Sequence, residues 1–234
     1  MRLTPRTLPL TASLLMTGVL PPAWATDWSA AAALGTDLVA KGLSKTGGQP
    51  AVSLDLGWRN DAGWTLSAGA ATLHDRRAVE LTLGVGWQRQ WDADWLTQLG
   101  MVRYDNTRGR QAASGYTEAY ASVGWRGQVS LLVALSPDTR MDPSRPDAPA
   151  HTSRLAELAV HQRLAGPWAV DAGVGHIDFN DLPSYRYASL GLGWSQGPWQ
   201  VFITRIDSNA GQRGVVAPSV AGGRTVFTVT RQLR

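Results

Sequence analysis

From Gly35 onward the chain divides into segments of about ten residues in which apolar positions alternate with small or polar ones. That is the period of a strand whose two faces meet different surroundings. The clearest segment runs from Ala78 to Gln88, with Val79, Leu81, Leu83, Val85 and Trp87 on one face and Glu80, Thr82, Gly84, Gly86 and Gln88 on the other. The segment from Pro50 to Arg59 likewise opposes Val52, Leu54, Leu56 and Trp58 to Ser53, Asp55, Gly57 and Arg59. No segment of helical period competes. No run of about 18 apolar residues is present, so helical membrane spans are excluded.

The alternation predicts strands near 35–43, 50–59, 64–73, 78–90, 95–104, 115–126, 128–136, 152–163, 168–178, 185–195, 199–207 and 224–233. The turns Asn60-Gly63, Trp91-Asp94, Arg126-Gly127, Ala165-Pro167 and Gln196-Pro198 are short, while most connections at the opposite strand ends are longer. Short turns on one side and longer loops on the other describe an all-β fold, a transmembrane antiparallel up-and-down β-barrel of about twelve strands. Such a barrel must close, because lipid cannot satisfy a free sheet edge.

The N-terminal segment fits that compartment. Arg2 and Arg6 precede an apolar stretch from Leu8 to Leu20, followed by Ala23-Trp24-Ala25, which reads as a signal peptide over residues 1–25 and leaves the barrel to 26–234. A membrane anchor is the alternative, but the stretch is short and interrupted by Thr11, Thr17 and two prolines. The absence of cysteine removes disulfides, thiolate nucleophiles and cysteine metal sites. The formal charge of +4 includes Arg2 and Arg6, so the remainder carries about +2, too little to argue for nucleic acid. Lys41 and Lys45 are the only lysines, and the arginine bias is read as genomic composition.

Tryptophan orients the barrel. Trp58, Trp64, Trp87, Trp95, Trp125, Trp168, Trp194 and Trp199 all abut short turns, as a membrane girdle at the periplasmic headgroup level would require. A soluble β-sandwich would scatter its tryptophans along the strands. Gly-Trp recurs at 57–58, 86–87, 124–125 and 193–194, with tryptophan toward lipid and glycine toward the lumen.

The segment Thr36-Asp37-Leu38-Val39-Ala40-Lys41-Gly42-Leu43-Ser44 resembles the opening S-D-Y-x-F-R-G-x-S signature of the TorF-like porin family, proteobacterial outer-membrane proteins of unknown function. The resemblance continues through Pro50-Ala51-Val52, Asp61-Ala62-Gly63-Trp64, Val79-Glu80-Leu81, Tyr104-Asp105 and Tyr116-Thr117-Glu118. It implies an outer-membrane barrel with a pore, and brings neither a substrate nor catalytic residues. Leu38 and Ala40 replace the family's aromatics, and the chain ends Gln232-Leu233-Arg234 where such barrels usually end in phenylalanine. Insertion by the barrel assembly machinery is then expected to rely on Phe227, Val229 and Leu233, which share a face of the last strand.

Strand parity directs Asp55, Arg59, Glu80, Glu118, Tyr120, Glu157, His161, Asp171 and Tyr187 to the lumen. Glu80, Glu118 and Glu157 lie near the starts of descending strands and are expected at similar height, as an acidic ring favouring cations. The alternative is that they pair with interior arginines and fill a closed barrel. Lumenal Gly57, Gly69, Gly84, Gly86, Gly173, Gly175, Gly191 and Gly193 favour an open passage, or else serve strand curvature. The first functional expectation is a passive channel for small solutes with a cation preference. The second is a closed structural or adhesive barrel whose loops at 137–151 and 208–222 meet lipopolysaccharide or an external partner. The loop arginines Arg76, Arg77, Arg108, Arg110, Arg140 and Arg145 are candidates for lipopolysaccharide phosphates. A rim hydrolase is the third and weakest, because His74, His151, His161 and His176 have no identifiable serine partner. No cofactor is implied. The dispersed histidines give no metal site, and Asp138, Asp142 and Asp147 lack calcium-loop spacing.

Overall fold

The computed structural model describes residues 27–73, 78–107, 115–140 and 149–233. The expected leader over 1–25 lies outside them, as do His74, Arg76, Arg77, Arg108, Arg110, Asp142, Arg145 and Asp147. The strands are β1 (Asp27–Gly35), β2 (Val39–Ala40), β3 (Leu43–Ser44), β4 (Ala51–Arg59), β5 (Trp64–Thr72), β6 (Val79–Gln90) and β7 (Trp95–Asn106). They continue with β8 (Tyr116–Trp125), β9 (Val129–Thr139), β10 (His151–Arg163), β11 (Trp168–Phe179), β12 (Tyr185–Gln196), β13 (Trp199–Ser208) and β14 (Arg224–Leu233). All except β2 and β3 form one closed antiparallel barrel of twelve strands, each beside its neighbours in sequence, with β1 pairing β14 to close it.

Eleven of the predicted strands coincide with observed ones, and the first does not. The first barrel strand is Asp27–Gly35, whereas the prediction began at 35. In β1 the run Ala30–Ala33 puts alanine on both faces, so the alternation that reveals the other strands is absent. Residues 36–50 instead form the connection to β4, and within it β2 and β3 make a miniature hairpin. Lys41 and Gly42 both have positive φ, 52° and 76°, as the two central residues of a type I′ turn require. Glycine takes this conformation freely, and lysine does so at a cost of about 1 kcal/mol. The apolar pattern of 35–43 is therefore that of a folded-in loop.

Register fixes the two faces. Outward positions form an apolar belt that includes Leu54, Leu66, Leu83, Leu131, Val174 and Leu190, with Leu83 64% exposed. Phe227, Val229 and Leu233 also point outward on β14. All eight predicted tryptophans lie on the outer face at the short-turn end, and Trp28 of β1 joins them. Eight of these nine meet as direct cross-strand partners: Trp28 with Trp58, Trp64 with Trp87, Trp95 with Trp125, and Trp168 with Trp194. Directly opposed aromatics on one sheet face attract each other beyond their buried area. Trp199 instead faces Arg231, whose guanidinium lies 5.2 Å from its ring centroid.

Buried apolar side chains gather inside the barrel, in the half that carries the long loops. Leu155, Ile177, Phe179, Tyr185 and Tyr187 from the wall pack with Ala210 and Ala221 of the 209–223 connection, and Leu43 of β3 joins them. At the other end the short turns depend on local geometry. Gly63 has φ of 89°, its carbonyl accepts from Gln88 N at 2.8 Å, and a Cβ there would run into the Gln88 carbonyl. Gly197 has φ of 57° and open space around it. Gly63→Ala is therefore expected to cost about 2–4 kcal/mol and Gly197→Ala only about 1 kcal/mol, measured by urea unfolding of protein refolded into detergent micelles.

Candidate functional site

The wall of the outer mouth is set by register on β6, β7 and β8. Thr82 pairs Tyr104, Tyr104 pairs Tyr116 and Val102 pairs Glu118, so Glu80, Tyr104, Tyr116 and Glu118 share the inner face. The two tyrosine rings stack with centroids 4.5 Å apart and an interplanar angle of 15°. Glu118 is 1% exposed and Glu80 is also buried.

The 36–50 connection folds into this mouth and delivers the chain's only two lysines to it. Lys41, at the hairpin tip, forms an ion pair with Glu118 Oε2. Lys45 binds both oxygens of Glu80, at 2.6 and 2.7 Å. Each ammonium also lies over a ring, Lys41 at 5.5 Å from the Tyr116 centroid and Lys45 at 5.1 Å from that of Tyr104. Carboxylate and aromatic face together compensate the desolvation of a buried ammonium.

The rest of the loop is tied down with comparable care. Asp37 receives hydrogen bonds from Ser44 Oγ and Thr46 Oγ1, both at 2.6 Å, and pairs with Arg224 at 2.7 Å. Ser44 N donates to Val220 O at 2.8 Å, joining this loop to the 209–223 connection. Tyr185 donates its hydroxyl to the Lys41 carbonyl at 3.1 Å. Gly42 abuts Tyr187, where any Cβ would collide with that side chain.

The predicted lumenal residues all lie on inward positions, but they are not gathered in one place. Glu80 and Glu118 meet the loop lysines, and Glu157 accepts the hydroxyl of Tyr187. The expected ring of available carboxylates is thus replaced by partnered groups. The cations that pair with Glu80 and Glu118 are lysines from a loop, not the interior arginines considered from the sequence. His161 Nδ1 and Asp171 Oδ1 are 2.6 Å apart farther down, both largely buried. Asp55 faces Gly69 across β4 and β5, and Arg59 sits at the short-turn end. Tyr120 lies over Gly100, where a Cβ would contact its ring.

Several inward glycines serve the same purpose rather than opening the passage. Gly175 lies beneath the Tyr187 ring and Gly193 beneath the Phe202 ring, while Gly69 and Gly84 adjoin Thr82 and Ser67 side chains. Glycine there makes room for the neighbouring strand's side chain. Arg103 and Arg205 face outward and pair with Asp105 and Asp207. Sequence reasoning missed Asp37, Lys41, Lys45, Tyr104, Tyr116, Tyr185 and Arg224. The available signal was the confinement of both lysines to one short segment.

Residues 21–232 match a bacterial family described as a protein of unknown function, Gcw_chp. The chain belongs to that family. No curated protein matches it. Among solved structures this Gcw_chp barrel resembles the KdgM porin with a TM-score of 0.57 at 6% identity, covering 89% of this chain and 100% of that one. It resembles the NanC porin with a TM-score of 0.59 at 10% identity, with the same coverages of 89% and 100%. The KdgM porin is also known in complex with disordered oligogalacturonate. At these identities the likeness establishes the fold, a twelve-stranded porin-like barrel.

Glu118→Gln removes the charge that holds Lys41. Loss of one charge-assisted hydrogen bond, about 1.5–3 kcal/mol, corresponds to roughly a 10- to 100-fold gain in loop opening. Trypsin, which cleaves after lysine, is expected to cut at Lys41 and Lys45 faster by about that factor in the folded variant than in the wild type.

Proposed function

We propose that this chain is an outer-membrane channel of porin type for small solutes, with the 36–50 loop as the constriction of its outer mouth. The observation that carries this reading is the contrast between the two halves of the lumen. The outer half is crossed by a loop held through ion pairs, while inward positions nearer the short turns include Gly57, Ser67, Gln98, Ser122, Gln200 and Thr204. Small and polar residues suit a hydrated passage, and a folded-in loop narrows it.

The apolar outer belt and the tryptophan rim support residence in the bacterial outer membrane, with the short turns toward the periplasm. The strand at Asp27 begins two residues beyond the proposed leader cleavage after Ala25. The resemblance of residues 36–44 to the TorF-like porin signature supports the same assignment. Barrel assembly machinery is the insertion partner in this reading. Lipopolysaccharide is the outer-leaflet lipid, and Arg103, Arg154 and Arg205 on the outer face are candidate phosphate contacts.

Ion pairing alters the expected selectivity. With Lys41 and Lys45 seated, Glu80 and Glu118 contribute little net charge, so cation preference falls to Asp55, Glu157 and Asp171. A second reading, a closed structural barrel, draws on the apolar cluster of Leu155, Ile177, Phe179, Tyr185 and Tyr187 that fills one side of the mouth.

Liposome swelling with sugars of increasing size separates the two readings. A channel swells liposomes in a size-dependent manner, and no swelling by correctly folded protein defeats the proposal. In planar bilayers, Glu80→Gln combined with Glu118→Gln is expected to raise conductance through loop release and to shift the reversal potential away from cations, because two lysines lose their counter-charges.

A further inference from the structure

The wall groups Glu80, Glu118, Tyr104 and Tyr116 form a receptacle for two ammonium ions, and the chain's own lysines fill it. Each ammonium has one carboxylate and one tyrosine face, and the stacked tyrosines set the two subsites side by side. This is the chemistry that recognises an alkylammonium ligand. The chain has 22 basic residues of the Lys+Arg type, and only Lys41 and Lys45 are lysines. A lysine side chain ends as a primary alkylamine does, with a compact charge and three rotatable donors on a flexible stem.

We infer that Lys41 and Lys45 act as tethered stand-ins for the solute, and that a di- or polyamine opens the mouth by displacing them from Glu118, Glu80 and the two tyrosine faces. The inference rests on the channel reading and adds a solute class to it.

Two further features favour exchange. Glu118 is almost wholly buried, yet its Oε1 accepts no hydrogen bond among the described residues, although its Oε2 is paired with Lys41. The subsite therefore retains an acceptor that a free ammonium, with its donors less constrained, can satisfy. Lys41 is also held at a φ of 52° in the β2–β3 turn, so opening of that turn as the loop leaves the mouth relieves backbone strain. A dicarboxylate would meet two glutamates and a neutral sugar would leave them unpaired, so both are disfavoured.

The small number of lysines makes displacement readable in the wild-type protein. Folded barrel in vesicles is treated with an amine-acylating ester, and modification of Lys41 and Lys45 is followed by mass spectrometry. The probe is tetramethylated cadaverine, a protonated tertiary diamine that the reagent does not consume. Acylation of both lysines is expected to rise several-fold with the diamine and to stay unchanged with sodium chloride of equal ionic strength or with pentanediol.

Calorimetry supplies an independent measure. Lys41→Gln/Lys45→Gln is expected to bind cadaverine, and adding Glu80→Gln and Glu118→Gln is expected to weaken binding by about tenfold or more. Diamine-independent acylation, together with equal cadaverine binding by the double and quadruple variants, would overturn the inference. Liposome swelling is scored separately: swelling without any diamine effect removes this inference alone, whereas diamine binding without swelling removes the channel and leaves the receptacle.

Discussion

Closure of the sheet is the constraint on which everything else depends. A strand surrounded by hydrocarbon has no water to satisfy its backbone, so each of the twelve barrel strands needs a neighbour on both sides. β1 carries the seam, pairing β4 along its whole length and β14 over Ala30–Gly35. Its alanines contribute little packing, and what it supplies is a continuous hydrogen-bonding backbone. Once the ring is closed, parity alone sends apolar residues outward and Glu80, Glu118 and Glu157 inward.

Parity is also why most of the barrel was legible in the sequence. Strands such as Val79–Gln90 must satisfy two solvents at once, and that demand is written into every second residue. β1 escaped because alanine is tolerated on either face. Residues 35–43 misled because an apolar loop packed inside a barrel alternates in the same way, and only the Lys41-Gly42 turn distinguishes it. The tryptophan rim was readable from turn positions, except Trp28, which was lost with its strand.

The site was less legible for a different reason. Inward orientation of Glu80 and Glu118 follows from local period, but their partners come from a loop some 35 and 77 residues away in sequence, and no pattern encodes that meeting. Counting glycines as empty volume failed similarly, since Gly175 and Gly193 lie beneath the rings of Tyr187 and Phe202. The porin likeness describes the wall, while the charge at this mouth belongs to the chain itself.

The pair between Asp37 and Arg224 joins positions that lie 187 residues apart, one just beyond β1 and the other opening β14. It bridges the two sides of the seam and at the same time anchors the loop that carries Lys41 and Lys45. The contact that spans the closing strands therefore also seats the loop at the mouth, so that ring closure and the narrowing of the entrance share one ion pair.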